Sequence, residues 1–220
     1  MQSRSSLRFR ARFKMRGAFR KMSGLAALGL ATLLTAQAQA ADTNVDTNLD
    51  VHGMLTVNGR QTPYRIRHLP VSSFPELPAT VAAALTQRGC LIPQTYAAKR
   101  PENVVHASLE RTGSRDWAVL CSTQGEVSLL VFLASGTVET PTTLAKKEEL
   151  SCLEAQDATG RLGFDWAIDP AVPKRVHEAQ VSMAHRPPLL DHDCLAESQV
   201  DGKTIYHLYR NGSWETVATE

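Results

Sequence analysis

The strongest pattern in the chain is an alternation of apolar side chains over residues 115–133. Residues 116–122 and 127–132 each repeat with the two-residue period of a β-strand, and a polar turn with a glycine, 123–126, separates them. Both faces of each strand are largely apolar, and Trp117 lies within the alternation. The pattern therefore predicts a central β-hairpin that is buried on two sides, with Trp117 in the core.

Two further hairpins are predicted by their turn residues. Asn58-Gly59 and Asn211-Gly212 each lie between apolar-rich stretches, and Asn-Gly readily takes the positive φ that a tight hairpin turn requires. Alternation predicts additional strands over residues 103–111 and 161–168. Residues 189–199 have no regular period, and we expect an irregular segment there.

Two segments have the period of an amphipathic helix, residues 75–88 and 171–184. The first follows Ser73 and Glu76, which have the spacing of a capping box, and the second follows Asp169-Pro170, which has the form of an N-cap with proline at the first helical position. The sequence thus predicts an α+β fold, a mainly antiparallel sheet built of hairpins with two amphipathic helices packed on it.

The first forty residues differ from the rest in charge and hydropathy. They hold eight Lys and Arg and no Asp or Glu, and a short apolar run over residues 25–34 ends before Ala38-Gln39-Ala40. This is the pattern of a secretory signal peptide, and the run is shorter than the ~20 residues that cross a bilayer. We expect cleavage after Ala40, with Met1 or Met15 as the start, and no stable insertion into a membrane.

The predicted organisation is a signal peptide over 1–40, a polar flexible leader over 41–50, and a single α+β domain over 51–220. Without the first forty residues the chain has 16 basic and 22 acidic residues, a formal net charge of −6. A net acidic body has no electrostatic footprint for nucleic acid. We expect a location in the bacterial periplasm or outside the cell.

Four cysteines are present, and an even number in an exported protein favours two disulfides. Three pairings can be drawn. We expect Cys90–Cys121, which would tie the end of the first helix to the central hairpin, together with Cys152–Cys194. The chain has no Cys-x-x-Cys pair, so a cysteine zinc site is not predicted.

Asp191-His192-Asp193 is the most suggestive polar cluster. Carboxylates at alternate positions can converge on a hard cation, and Glu197 would add another oxygen ligand. Cys194-Leu195-Ala196, however, breaks the pattern of a calcium-binding loop. We name Asp191, His192 and Asp193 as a candidate polar site and predict no metal and no cofactor.

The remaining motifs do not indicate an enzyme. His177-Glu178 begins like a zinc-protease helix, but Val181 stands where the second histidine is needed, and His185 would lie about 12 Å along a helix axis. The sequence contains no Gly-x-Ser-x-Gly elbow, phosphate-binding loop or dinucleotide-binding glycine pattern. No catalytic residue is predicted.

Several motifs together resemble a group of uncharacterised bacterial proteins that are periplasmic or secreted. The most specific are the helix end Arg88-Gly89-Cys90 and the central strand Asp116-Trp117-Ala118-Val119-Leu120-Cys121-Ser122. The others are Phe74-Pro75-Glu76-Leu77-Pro78, Asp191-His192-Asp193, Tyr206 and Asn211-Gly212-Ser213-Trp214. The resemblance implies an exported location and this shape but no activity. Cys194 stands where the group would have a glycine and more acids, which supports a bridge to Cys152.

From these observations we expect a non-catalytic binding or interaction module in the bacterial periplasm, with an envelope protein or a small ligand as its partner. One alternative is a periplasmic hydrolase, with or without a metal, that uses Asp191, His192 or Asp193 with His177 or His207. Another is a cell-envelope inhibitor whose contacts come from one exposed loop.

Overall fold

The computed structural model describes residues 49–156, 160–181, 185–200 and 202–218, so the expected signal peptide and most of the leader lie outside the described residues. Over these residues the chain forms two β-sheets and two α-helices. No described helix combines the length and the hydropathy that crossing a bilayer requires. The predicted α+β class, with sheet in excess of helix, is confirmed.

The larger sheet, called the large sheet below, contains nine of the described strands: β1 (Val51–Val57), β2 (Arg60–Pro70), β3 (Leu91–Gln94), β4 (Val104–Ala107), β5 (Asp116–Thr123), β6 (Glu126–Phe132), β7 (Thr142–Glu148), β8 (Leu153–Ala155) and β9 (Leu162–Phe164). Its order is β7-β6-β5-β3-β2-β9-β8, with β1 beside β2 and β4 beside β5. The β2–β9 pair is parallel, whereas the other pairs are antiparallel. The sheet is therefore mixed, and it contains pairs that are not hairpins.

The small sheet has the order of the chain and is antiparallel: β10 (Trp166–Ala171), β11 (Cys194–Gln199), β12 (Thr204–Arg210) and β13 (Ser213–Ala218). The predicted strand over 161–168 is wrong in one respect, because it divides at Asp165 into β9 and β10, which belong to different sheets. The segment expected to be irregular contains β11, whose pairing with β10 and β12 comes from tertiary contacts and not from a clear local period.

The first helix, α1 (Ala79–Gln87), is shorter than the predicted 75–88. The capping box is wrong, because Ser73 ends a 3-10 turn and makes no side-chain cap. Pro78 has no N–H and disfavours a helical conformation in the residue before it, so the helix begins only after Pro78. Gly89 ends it in the left-handed conformation, with φ of 71°, as the sequence predicts.

The second helix, α2 (Pro173–Ala179), also begins later than predicted. Asp169 and Pro170 pair with β11 as part of β10 and do not cap a helix. Proline is tolerated there because β10 is an edge strand of the small sheet. Residues 182–184, the end of the predicted helix, lie outside the described residues.

The central hairpin is buried on both faces, as predicted. Leu120 faces the small sheet and belongs to the same apolar cluster as Ile168 and Leu195. Its neighbour Val119 points the other way, into a cluster with Leu85 of α1. The large sheet is thus sandwiched between α1 and the small sheet.

A third cluster covers the other face of the small sheet. It joins Val176 of α2 to Ala196 and Leu208. Since Leu195 and Ala196 are neighbours on β11, their opposite orientations separate this cluster from the one between the sheets. The layers are therefore α1, the large sheet, the small sheet and α2.

The predicted Cys90–Cys121 disulfide is present, with 5.1 Å between the Cα atoms, and it fixes the end of α1 to β5. The predicted Cys152–Cys194 bond is wrong, because both thiols are free and buried. Cys152 lies in the cluster between the sheets, whereas Cys194 lies in the α2 cluster. The two side chains therefore face different layers, and a disulfide requires that they face each other.

The two ends of the large sheet are brought together by the chain itself. β7 and β8 are the first and last strands of the sheet order, yet only the 3-10 turn Glu149–Cys152 separates them. The sheet must therefore curve strongly, and the parallel β2–β9 pair joins β8 and β9 to the rest of it.

Candidate ligand-binding groove

A groove lies on the α1 side of the large sheet, between the start of α1 and the segment that follows β6. Its cavity has a volume of 540 Å³ and a floor made by Trp117 and Phe132, which are paired across β5 and β6. A second cavity of 680 Å³ shares Thr80 and Val138 with the first, so the groove continues along α1.

The floor of the groove carries a stacked aromatic pair. His106 and Trp117 are opposite each other on β4 and β5, with ring centroids 4.5 Å apart and an angle of 21° between the ring planes. Trp117 is only 7% exposed, whereas His106 is exposed. The His106 ring is therefore the exposed member of the pair, and it covers one face of the nearly buried indole.

Charged groups lie at the sides of this floor. Arg115 and Glu76 both line the cavity and are both exposed. None of the hydrogen bonds or ion pairs of the described chain uses the Arg115 guanidinium, so its donors are free for a ligand. The groove thus has an apolar floor, a positive charge from Arg115 on one side and a single carboxylate from Glu76.

Asp116 fixes the loops around the groove. Its carboxylate is fully buried and accepts hydrogen bonds on Oδ2 from the backbone N–H groups of Leu109, at 2.7 Å, and Glu110, at 2.9 Å, and from the Ser114 hydroxyl. Its Oδ1 accepts the N–H of Ala134 at 2.7 Å. One side chain thus holds the loop before β5 and the segment after β6, which includes part of the groove wall.

The candidate polar site predicted from the sequence is only partly assembled. The buried ring of His192 faces the Asp191 carboxylate at 2.9 Å from Nδ1 and the Tyr209 carbonyl at 3.0 Å from Nε2. Asp191 is 85% exposed, and its hydrogen bond with His192 lowers its carboxyl pKa. Asp193 instead accepts the backbone N–H of Ser108 at 3.2 Å. Only one of the two carboxylates therefore meets the imidazole.

The other predicted histidines have separate surroundings. His207 lies 2.8 Å from Glu197 through Nε2, whereas His177 is on α2 and its buried Nδ1 has no hydrogen-bond partner among the described residues. Within the part of the chain that the structure describes, no three His, Cys, Asp or Glu side chains form a group able to hold a metal ion.

A buried ionic cluster between the sheets was not predicted. The Glu197 carboxylate accepts hydrogen bonds from Lys147 Nζ at 2.6 Å and from His207, and Lys147 Nζ lies 4.1 Å from the centre of the Trp166 ring. Burial raises the pKa of Glu197, but the two hydrogen bonds outweigh it and the pKa is lowered. Glu197 and His207 are buried and Lys147 is partly exposed, and none of the three lines the groove.

A second buried group has the residue types of a catalytic triad in the wrong order. Glu149 Oε1 accepts hydrogen bonds from Ser122 Oγ at 2.5 Å and from His68 Nε2 at 2.8 Å. In a triad the imidazole lies between the hydroxyl and the carboxylate and takes the hydroxyl proton. Here the carboxylate lies between them, so His68 cannot activate Ser122.

Sequence reasoning missed the groove because its parts come from four segments. Trp117 was predicted to be core, and the alternation of β4 and β5 was recognised, but the register that pairs His106 with Trp117 is not contained in either strand alone.

Comparison with protein-family models, with curated proteins and with solved structures found no match for this chain.

Proposed function

We propose that this protein is a non-catalytic binding module whose groove takes a small ligand with a flat apolar body and an acidic group. The observation that carries the proposal is the stacked His106–Trp117 floor beside the unpaired guanidinium of Arg115. The apolar body would pack against the exposed His106 ring, which Trp117 supports from below, and the acid would accept charge-assisted hydrogen bonds from Arg115.

The size and rigidity of the groove support this proposal. Its 540 Å³ cavity falls within the roughly 300–1,000 Å³ of small-molecule sites. The disulfide at the end of α1 and the buried carboxylate of Asp116 hold the groove in place before a ligand arrives. A preformed site avoids the entropic cost of ordering its walls.

The orientation of the ligand follows from the charges. Glu76 would repel an acidic group at its side of the groove, so the acid is expected at the Arg115 side. We place the module in the bacterial periplasm or outside the cell, where the Cys90–Cys121 bond persists and where the resemblance to exported proteins also points.

The test is a binding screen with aromatic carboxylates and their neutral amides, read by ligand-observed NMR on the purified protein. The carboxylates should bind better than the amides, and Arg115→Gln should weaken carboxylate binding by about tenfold or more. Arg111→Gln is the matched control, since Arg111 is exposed on the same loop but does not line the cavity. Equal binding of acids and amides, or an unchanged affinity in Arg115→Gln, would disprove the proposal.

The two other functions stay hypotheses. The hydrolase would need His192 with converging carboxylates, and Asp193 is engaged by Ser108 instead. The inhibitor would need a partner protein, and capture of an enriched partner from periplasmic extract by the full chain is the experiment for it. Neither is favoured by an observation comparable to the groove.

A further inference from the structure

A small polar cleft, separate from the groove, brings three arginines together. Arg65 and Arg67 of β2 and Arg161, just before β9, line a cavity of 170 Å³ whose other walls include Gln156 and Thr95. The body of the chain beyond residue 40 is net acidic, so this concentration of positive charge departs from its surroundings.

The position of the arginines in the cleft follows from the register of β2 and β9 in the large sheet. Arg65 and Arg67 are two residues apart on β2 and share a face, while Ile66 between them is fully buried in the core. Arg65 is opposite Gly163 in the parallel β2–β9 pair. A Cβ atom at position 163 would lie 2.6 Å from the Tyr96 Cβ and closer still to the Gln156 amide. Position 163 must therefore be glycine for the Tyr96 and Gln156 side chains to pack against the β9 backbone.

The positive charge in the cleft is only partly neutralised. Arg65 pairs with Asp50. Arg67 is half-buried, and its guanidinium has one hydrogen bond in the described chain, to the Ala98 carbonyl at 3.4 Å. The Arg161 guanidinium makes no hydrogen bond or ion pair with any described residue. The carboxylate of Glu102, close to the cleft, is turned to the Thr95 N–H at 2.8 Å.

We propose that this cleft binds a phosphate group, either as the free anion or as the head of a phosphate ester. Guanidinium groups present paired N–H donors that match the oxygens of phosphate. A bound anion would also relieve the repulsion between Arg67 and Arg161. The volume of 170 Å³ holds a tetrahedral anion with a few waters, given about 30 Å³ per water, but not a larger body.

The experiment titrates the purified full chain with inorganic phosphate, and with chloride at matched ionic strength, while following backbone amides of β2 and β9 by NMR. Phosphate should give saturable shifts that chloride does not reproduce. Arg161→Gln and Arg67→Gln should each raise the dissociation constant about tenfold. Arg60→Gln, exposed at the other end of β2, should leave it unchanged.

Two arms distinguish the sources of phosphate. Binding of glycerol 3-phosphate, lost in Arg161→Gln, would indicate a soluble ester, whereas sedimentation with phosphatidylglycerol vesicles, lost in the same variant, would indicate a lipid headgroup. Identical shifts with chloride, or unchanged phosphate binding in Arg161→Gln, would overturn the proposal. Arg161 is exposed, so this variant keeps the test decisive even if Arg67→Gln does not fold.

Discussion

The Asp116 carboxylate accepts the backbone N–H of Ala134 at 2.7 Å and thereby joins the first residue of β5 to the segment beyond the end of β6. The same side chain holds Leu109 and Glu110 through its other oxygen. A fully buried carboxylate that accepts four hydrogen bonds is therefore the structural centre of the groove's rim.

Replacing this carboxylate should cost stability. Asp116→Asn would turn an NH2 group toward backbone donors, and we expect the free energy of unfolding to fall by about 3 kcal/mol, because hydrogen bonds to a charged acceptor are worth about 1.5–3 kcal/mol each. Urea denaturation measures the change. Asp191→Asn, at a carboxylate that is 85% exposed, is the control and should have a much smaller effect. Equal effects of the two variants would contradict the central role of Asp116.

The thiols should divide into one bonded pair and two free groups. Alkylation in denaturant without reductant should label Cys152 and Cys194 only, and prior reduction should give four labels by mass spectrometry. In the native protein at pH 8 both should stay unlabelled, because burial raises the pKa of Cys152 and raises that of Cys194 to about 12. No free thiol before reduction would show that the second disulfide forms after all.

The Cys90–Cys121 bond should stabilise the fold by restricting the unfolded chain. For a sequence separation of 31 residues, the loop-entropy relation gives about 3.5 kcal/mol for the bond. The double variant Cys90→Ala, Cys121→Ala should lose about that amount in urea denaturation. Reductant should destabilise the wild type but leave the double variant unchanged.

Lowering the pH should reduce the free energy of unfolding through protonation of Glu149. Burial raises the pKa of this carboxyl, but hydrogen bonds from His68 and Ser122 outweigh burial and lower it below its ordinary 4.5. The unfolded chain therefore binds this proton more readily, so the stabilisation is present above about pH 4.5 and is lost as the pH falls through the lowered value. Glu149→Gln should flatten this part of the stability–pH curve in urea denaturation. Glu148→Gln, at an exposed neighbour, should preserve it.

Neutralising Glu197 should leave Lys147 and His207 without their shared carboxylate acceptor. Glu197→Gln should lower the free energy of unfolding by about 1–3 kcal/mol, because the buried His207 ring loses its charged hydrogen-bond acceptor, whereas the partly exposed Lys147 can turn to water. Glu126→Gln removes the partner of Lys146 in an exposed pair and should cost less than about 1 kcal/mol. Comparable losses in urea denaturation would show that the core cluster contributes no more than a surface pair.

Local features of the fold were predictable because short-range chemistry determines them. The Asn-Gly turns at 58–59 and 211–212 adopt positive φ at both residues, and the central hairpin alternates between two apolar clusters. Each of these depends on residues that are close in sequence or on one strand's period.

Long-range features were not predictable in the same way. The division of one apolar run at Asp165 depends on which sheet accepts each half, and the parallel β2–β9 pair has no local signature. Glu197 obscured the strand period of β11, because a carboxylate reads as a solvent-facing residue until Lys147 and His207 are placed around it. The groove and the arginine cleft depend on these registers and were therefore missed.

The parallel β2–β9 contact in the large sheet has a consequence for folding order. Tyr64 and Leu162 are about a hundred residues apart, whereas β10 to β13 pair in succession along the chain. Distant contacts form slowly because the intervening chain must first close a large loop. When the whole chain refolds, β10 to β13 should thus gain structure early, and pairing of β2 with β9 should limit the rate. A ribosome-bound chain that ends before β9 would leave one side of β2 unpaired and open to association with other chains.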